Sequence, residues 1–278
     1  MPLEAHQQSR VGERSGAVHY PSRWSKAVRH WQKVSPFNPY WLDRRCLRRS
    51  VEALAPKASG VLLDVGSSET PYRDIFEQHV RHYVGMEYPP AVLDKQPDMW
   101  ELLYNVHHLL NLLGDGRRIP IRTDSVDTVL CTEVLEHVPD PMPMVREMAR
   151  VLKPGGKLLV TVPFVQPLHE LPSDYHRFTP PALHHYAEDA GLVVESIEPR
   201  GNFASACGAM LSQWIIRTIG TKTHQTDGSV VLSRWRSVPL LPFTAIIQAA
   251  FLLASKLTHD DTVCHGYSLI AVKPGKPD

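Results

Sequence analysis

The chain has only four cysteines, Cys46, Cys131, Cys207 and Cys264, and no two of them form a C-x-x-C pair. That excludes a disulfide framework or a thiolate zinc site and leaves free thiols in a reducing, cytoplasmic compartment as the expectation. An excess of either charge is also missing: 30 Lys and Arg stand against 29 Asp and Glu. No polyelectrolyte partner is implied, and without a basic, aromatic-studded platform nucleic acid is not expected as a substrate. Residues 1–20 contain no apolar h-region, so no signal peptide is expected, and 1–35 reads as a disordered lead-in. The longest apolar run, 238–254, is interrupted by Pro239, Pro242, Thr244 and Gln248. It falls short of the roughly 20 residues that a spanning helix needs.

Apolar β-type runs alternate with helical patterns over much of the chain. A helix is expected over about 39–55. Its Arg44, Arg45, Arg48 and Arg49 interleave with Trp41, Leu42, Leu47 and Val51, the pattern of the wet side of an amphipathic helix. Strands are expected at 61–65, 83–86, 109–113, 126–131, 157–162, 193–197 and 267–272. Helices are expected at 72–80, 92–104, 142–152 and 180–190, with a tight turn at Leu152-Lys-Pro-Gly-Gly156. Alternation of this kind implies a doubly wound, mainly parallel α/β sheet with its ligand at the carboxyl ends of the strands. Residues 202–261 read as an insertion of two apolar helices, 210–219 and 240–257, joined by a polar linker at 221–229.

The junction Val61-Leu-Leu-Asp-Val-Gly-Ser-Ser-Glu-Thr-Pro-Tyr72 carries the most information. An apolar strand ends at Asp64, turns through Gly66 and enters a helical segment after Pro71. Such a junction brings backbone N–H groups toward a ligand, with an acid at the strand end for its cationic or polar part. Taken alone, Asp64 could equally cap the following helix. Ser68 and Thr70 stand where a ligand-cradling loop would carry glycine, and a Cβ there narrows the approach if the backbone φ is positive.

Four blocks in order resemble the class I S-adenosylmethionine-dependent methyltransferases, over roughly residues 58–200. They are Leu63-Asp-Val-Gly-Ser-Ser-Glu-Thr70, Tyr83-Val-Gly-Met-Glu87, Gly114-Asp-Gly-Arg-Arg-Ile-Pro120 with Asp124–Cys131, and Glu133-Val-Leu-Glu-His-Val-Pro-Asp140 through Val151-Leu-Lys-Pro-Gly-Gly156. Pro71–Phe76 and Leu168-His-Glu-Leu-Pro-Ser-Asp-Tyr-His-Arg-Phe-Thr179 resemble a subgroup associated with bacterial envelope-glycan clusters. The resemblance implies a Rossmann-like, seven-stranded, mainly parallel sheet with an N-terminal helix and a helical insertion before the last strand. The domain would run over 36–278, with its core at 58–200, its insertion at 202–261 and its last strand at 264–273.

The resemblance also implies S-adenosyl-L-methionine as cofactor. Asp64, Gly66, Ser67 and Ser68 would meet its methionine part, Glu87 its ribose hydroxyls, and Asp115 with Gly116 its adenine, with Thr132 also in the cofactor site. His169 and His176 are the candidate bases of an O-methyl transfer, with Asp174, Tyr175 and Arg177 shaping the acceptor pocket. The other reading of that loop is structural, with Arg177 and Asp174 paired to hold a lid. Glu133, Glu136 and His137 would share one helix face and could hold a divalent cation. No metal is expected here, since Glu-x-x-Glu-His also occurs in this superfamily where none is bound; capping and pocket lining is the reading adopted. Cys131-Thr-Glu-Val134 is not the Asn/Asp-Pro-Pro-Tyr of enzymes that methylate adenine or glutamine nitrogens. The expected acceptor is a small molecule, a glycan or a lipid-linked intermediate. A catalytically degenerate binding or scaffolding protein on the same fold is the alternative. The insertion reads as a packed helical pair in preference to a peripheral membrane contact through 238–257 at the inner face of the membrane.

Overall fold

The computed structural model describes residues 35–68, 70–88, 112–224 and 230–275. The lead-in at 1–34, the helix expected at 92–104 and the start of the strand expected at 109–113 lie outside the described residues.

One seven-stranded sheet organises the chain. Its strands are β1 (Val61–Val65), β2 (His82–Glu87), β3 (Leu112–Leu113), β4 (Val126–Thr132), β5 (Leu152–Pro163), β6 (Val193–Arg200) and a last strand, Gly266–Val272, which is β9. They lie in the order β3-β2-β1-β4-β5-β9-β6, all parallel except β9, which runs antiparallel to both β5 and β6. The reversal of direction from β1 outward on either side opens a crevice at the carboxyl ends of the strands, where ligands bind in such sheets.

The central strands β1, β4, β5 and β9 are mostly apolar and buried because both faces are covered. Registration puts Leu63, Val129, Leu158 and Ala271 in one row and Asp64, Leu130, Leu159 and Ile270 in the next. Successive residues face opposite sides. The first row packs into a large cluster with Val145 and Met148 of α3 (Met142–Val151) and Leu183 and Ala187 of α4 (Pro180–Asp189). The second row packs with Val51 and Leu54 of α1 (Trp41–Leu54) and with Ile75 and Phe76 of the short α2 (Arg73–Phe76). The helix expected at 72–80 is thus a single turn.

Leu152-Lys-Pro-Gly-Gly156 is not an isolated turn. Leu152 pairs with Val126 and Lys157 with Thr128, so the segment is the bulged start of β5. The insertion comprises α5 (Phe203–Ile219), α6 (Arg234–Ser237) and α7 (Leu241–Leu257), with a hairpin of β7 (Thr221–His224) and β8 (Val230–Leu232) between α5 and α6. Residues 221–224 of the expected polar linker are therefore strand, paired with 230–232, and 225–229 lie outside the described residues. The β-branched Thr221, Thr223, Val230 and Val231 favour that pairing over a coil. Asn202 accepts from the Ser205 N–H at 3.1 Å while Ser205 Oγ accepts from the Asn202 N–H at 2.9 Å, a reciprocal cap for α5. The Asn202 amide also donates to Ser255 O and Thr258 O, binding the start of α5 to the end of α7.

Residues 235–257 form a continuous helical run of 23 residues, long and apolar enough to cross a bilayer by length and composition. It exceeds the stretch judged too short from sequence because the prolines fall in its first turns, where no backbone donor is lost.

Gly266 sits where β9 meets Arg200. A Cβ there would stand 2.1 Å from Val162 O and 2.2 Å from the Arg200 guanidinium. Gly266→Ala should cost about 3 kcal/mol, read as a lowered midpoint in urea; an unchanged midpoint would show that the strand yields freely.

Candidate active site

The crevice is built from the ends of β1, β2, β3, β4 and β5. Asp64 is buried near the end of β1 and accepts a hydrogen bond from the Tyr83 hydroxyl, while its Oδ1 has no partner. Burial pushes its pKa up to about 7, against the pull of the Tyr83 bond. Gly66 turns the chain at φ +78°, and a Cβ would meet Val134 at 2.5 Å. The Gly66 and Ser67 N–H groups both donate to Met86 O, at 2.9 and 3.0 Å, which ties the loop to β2. Ser68 and Thr70 have φ of +46° and +50°. These are the conformations a glycine would adopt without strain, at a cost of roughly 1–2 kcal/mol per non-glycine residue. The loop keeps the shape of a glycine-rich turn although two glycines are replaced.

Glu87, at the end of β2, accepts from the Ser68 N–H at 2.5 Å and from the Tyr88 N–H at 2.8 Å. Gly114 N–H donates to Glu87 O at 2.9 Å, which brings the β3 loop beside it. Asp115 is already engaged: its carboxylate takes Arg117 in a paired bridge, with Nη2–Oδ2 at 2.7 Å. The Arg117 bond holds the Asp115 pKa below the usual carboxylate range. Gly116 lies against Met144, which a Cβ would meet at 2.8 Å. Thr132 closes β4 and pairs with Thr161 of β5, whose buried hydroxyl has no partner.

Asp64 Oδ1, Ser67 Oγ and Thr70 Oγ1 are buried polar atoms without partners on one short loop. Buried polar groups are normally satisfied, so a cluster of open ones is what a polar ligand would fill. A carboxylate and hydroxyls beside the strand ends suit the ammonium and carboxylate of an amino acid. Glu87, with further lone pairs free in kind, suits vicinal hydroxyls. The residues present thus fit S-adenosylmethionine.

The candidate set Glu133, Glu136 and His137 does not assemble. Glu133 has φ +52° and is followed by one 3-10 turn, Leu135–His137, so the shared face of an α-helix is absent. Its carboxylate instead pairs with the buried Arg200 guanidinium at 3.0 and 3.1 Å. The structure brings together Glu136, His137 and His169, whose donor atoms lie within 4.8 Å of one another. Glu136 is fully buried with both carboxylate oxygens unpartnered. Burial, reinforced by Glu133, raises its pKa well above the carboxylate range. His137 Nδ1 lies 2.6 Å from Ser173 O, and burial lowers the ring's pKa.

In the loop after β5, Arg177 grips Asp174 through both oxygens, at 2.5 and 2.8 Å. Burial of Asp174 would raise its pKa, but Arg177 and the His169 N–H outweigh this and bring it to about 2. Asp174 and Arg177 are therefore a loop-holding pair. His169 Nδ1 lies 3.2 Å from Pro167 O and 3.4 Å from Asp174 Oδ2. His176 Nε2 contacts Pro139 O at 3.1 Å, and the Tyr175 and His176 N–H groups donate to Glu136 O, so these two residues stitch the loop to the 3-10 turn. A shallow cleft of about 380 Å³ lies between Pro167 and α5, with Met210, Gln213, Trp214 and Arg217 on its walls.

Tyr83, Thr161 and Arg200 were not anticipated. The signal for Tyr83 lay in register: it pairs with Leu62 and so shares the face of Asp64.

Residues 63–160 match the family described as "Methyltransferase domain". Over 72 residues the chain is 43% identical to a ubiquinone biosynthesis O-methyltransferase of Xanthomonas oryzae, which covers 24% of this chain and 30% of that protein. Over 147 residues it is 30% identical to an uncharacterized methyltransferase of Mycobacterium leprae, covering 51% of this chain and 48% of the relative. The chain thus spans less than half the length of these curated relatives. Among solved structures, one from the complex of the Haloferax volcanii Trm112 methyltransferase activator with a methyltransferase superposes with a TM-score of 0.52. It is 18% identical and covers 90% of this chain and 96% of its own. An S-adenosylmethionine-dependent methyltransferase of Mesorhizobium loti superposes at 0.51, with 14% identity, covering 83% and 99%.

The strand order is that of the Rossmann-like methyltransferase fold, residues 63–160 match a methyltransferase domain, and the strand-end acids fit S-adenosylmethionine. The loop after β1 has serine and threonine at left-handed positions, and the inserted helices α5 to α7 precede the last strand.

Because Asp64 has a folded pKa of about 7 against 3.8 for an unperturbed carboxyl, the folded state binds its proton more tightly. Stability should fall as pH rises from about 4 to about 7, by no more than about 4 kcal/mol, with the penalty complete above that window. Asp64→Asn should raise the melting temperature of the cofactor-free protein at alkaline pH and leave it little changed in acid, while weakening S-adenosylhomocysteine binding. Equal melting shifts at both pH extremes would remove the buried charge as the cause.

Proposed function

We propose that the chain transfers a methyl group from S-adenosylmethionine to a hydroxyl oxygen of a small molecule, a glycan or a lipid-linked intermediate. The observation that carries the cofactor half is the group of open polar atoms at Asp64, Ser67 and Thr70 beside Glu87. The bound cofactor supplies an electrophilic methyl group on a sulfonium. The chain's own task is then to position the acceptor, exclude water and accept a proton.

His169 is suited to the last of these. Its Nδ1 faces Pro167 O, so the proton sits there and Nε2 is left as the acceptor. The Asp174 carboxylate, kept ionised by Arg177, favours the imidazolium that forms when His169 takes a proton. Tyr175, half-exposed, and the apolar wall at Trp214 border the acceptor side. His176 serves the same loop as a strut, with its second ring nitrogen in reserve as a base. The glycan and lipid-linked acceptors rest on the likeness of 168–179 to an envelope-glycan subgroup and on the apolar insertion. The ubiquinone-pathway relative supports oxygen as the attacked atom.

The competing reading, a degenerate binding or scaffolding protein, predicts no cofactor binding. Isothermal titration should show S-adenosylhomocysteine binding with one site, weakened roughly tenfold or more in Asp115→Ala if Asp115 meets the adenine. Absence of binding by the unaltered protein would overturn the enzyme reading. With labelled cofactor and a metabolite extract, His169→Ala should lower label transfer by about 10²-fold or more at unchanged cofactor affinity.

A second reading is favoured by Glu136, whose unpartnered carboxylate lies beside His137 and His169. A divalent cation held by these three would polarise the acceptor hydroxyl directly. EDTA would then abolish transfer and manganese or magnesium restore it, whereas full activity in EDTA assigns the proton to His169 alone.

A further inference from the structure

Helix α7 is built with its polarity reversed. Thr244 and Gln248, one turn apart, are fully buried, and the Gln248 amide accepts from the Leu42 N–H and donates to Pro36 O and Asn38 O, each at 2.9 Å. At 100° per residue the opposite side of the cylinder carries Phe243, Ile246, Leu253 and Leu257. These are 54%, 67%, 61% and 76% exposed, and Trp235, in the turn before, is 90% exposed. A helix that spanned a bilayer would not be anchored to the domain by its polar side, and a core helix would turn its leucines inward. The arrangement fits a helix held by its polar face so that its apolar face is presented outward.

Charge identifies what covers that face. Over the insertion at 202–261 the sequence has five basic residues, Arg217, Lys222, Arg234, Arg236 and Lys256, against three acids, Asp227, Asp260 and Asp261. The inner border of α7, at Leu252 and Ser255, opens into a cleft of about 750 Å³ that Arg45, Arg49 and Lys57 also line. Two acids, Glu195 and Glu198, share its walls, and Glu195 is held by Lys157 at 3.5 Å. An exposed apolar helix face on an insertion of net positive charge, with an arginine-lined cleft against the same helix, matches the acyl and phosphate layers of an anionic leaflet.

We propose that α7 docks the protein on an anionic phospholipid surface, with Phe243, Ile246, Leu253 and Leu257 entering the acyl boundary and Arg45 and Arg49 meeting headgroup phosphates. The proposal is independent of the methyl-transfer chemistry. The test is co-sedimentation of the full chain with phosphatidylcholine vesicles and with vesicles mixed with phosphatidylglycerol. The full chain should pellet with the mixed vesicles and be released by salt. Ile246→Asp/Leu253→Asp should reduce the bound fraction roughly tenfold or more at unchanged melting temperature. Arg45→Glu/Arg49→Glu, which leaves α7 untouched, should weaken binding roughly tenfold on anionic vesicles only. The proposal is overturned if the unaltered chain stays in the supernatant with both vesicle types or if the aspartate pair pellets undiminished. It is equally overturned if light scattering shows a dimer that the aspartate pair dissociates, which would assign the face to a second copy.

Discussion

The bond between Arg200 and Glu133 is the constraint on which the site geometry depends. Arg200 ends β6, is 1% exposed, and meets both Glu133 oxygens and Val162 O. It therefore joins the carboxyl ends of β4, β5 and β6 across β9, where Gly266 leaves room for the guanidinium. A buried charge of this kind is tolerable only with its partner in place. Glu133 adopts a left-handed backbone to reach it, and that bend directs the following turn so that Glu136 and His137 face the loop after β5. Behind Arg200, His265 pairs with Asp43 of α1 at 3.2 Å. Burial would lower the His265 pKa, but Asp43 outweighs it and raises the value to about 9. The first helix is thereby attached to the same corner of the sheet.

Much of this was legible in the sequence, because strands buried on both faces announce themselves. Val61–Val65 and Val126–Thr132 are largely apolar runs with a polar residue, Asp64 or Thr132, at or next to the carboxyl end, and a polar residue there has a defined place in a parallel sheet. Asp64 was placed at a strand end on that basis, whereas Glu87 and Asp115 came from the resemblance of their blocks to the methyltransferases. Glu133 was misplaced because Glu-Val-Leu-Glu-His has the spacing of a helix face, whereas the chain there turns left-handed before a single 3-10 turn. Spacing reports a shared face only after the backbone is known to be helical. The membership of His169 in the Glu136 and His137 cluster joins residues separated by a whole strand, which no local pattern encodes. The apolar character of α7 was visible as composition, but its inverted orientation depends on where Gln248 finds its partners, and those lie about 210 residues away.

The polar groups of the crevice divide into two kinds. Asp174 and Arg177 satisfy one another, as do Glu133 and Arg200, so their charges are spent on shape. Asp64 Oδ1, Ser67 Oγ, Thr70 Oγ1 and both Glu136 oxygens remain open. Partners already in place mark scaffold, and open partners in buried positions mark where a ligand or a proton is to be received. This sorting assigns Arg177 and Asp174 to the frame although their loop is rich in chemically versatile side chains.

The short bond from the Ser68 N–H to Glu87 gives that carboxylate two employments at once. It holds a serine in a left-handed bend, and it is the group proposed for the ribose of the cofactor. An isosteric amide at position 87 would weaken the acceptor for Ser68 as well as the one for the sugar, so the loop would relax at the moment the sugar contact is lost. Affinity changes at Glu87 therefore measure a loop and a ligand together. The two separate only in a double-mutant cycle with glycine at position 68, where the bend needs no support from the acid.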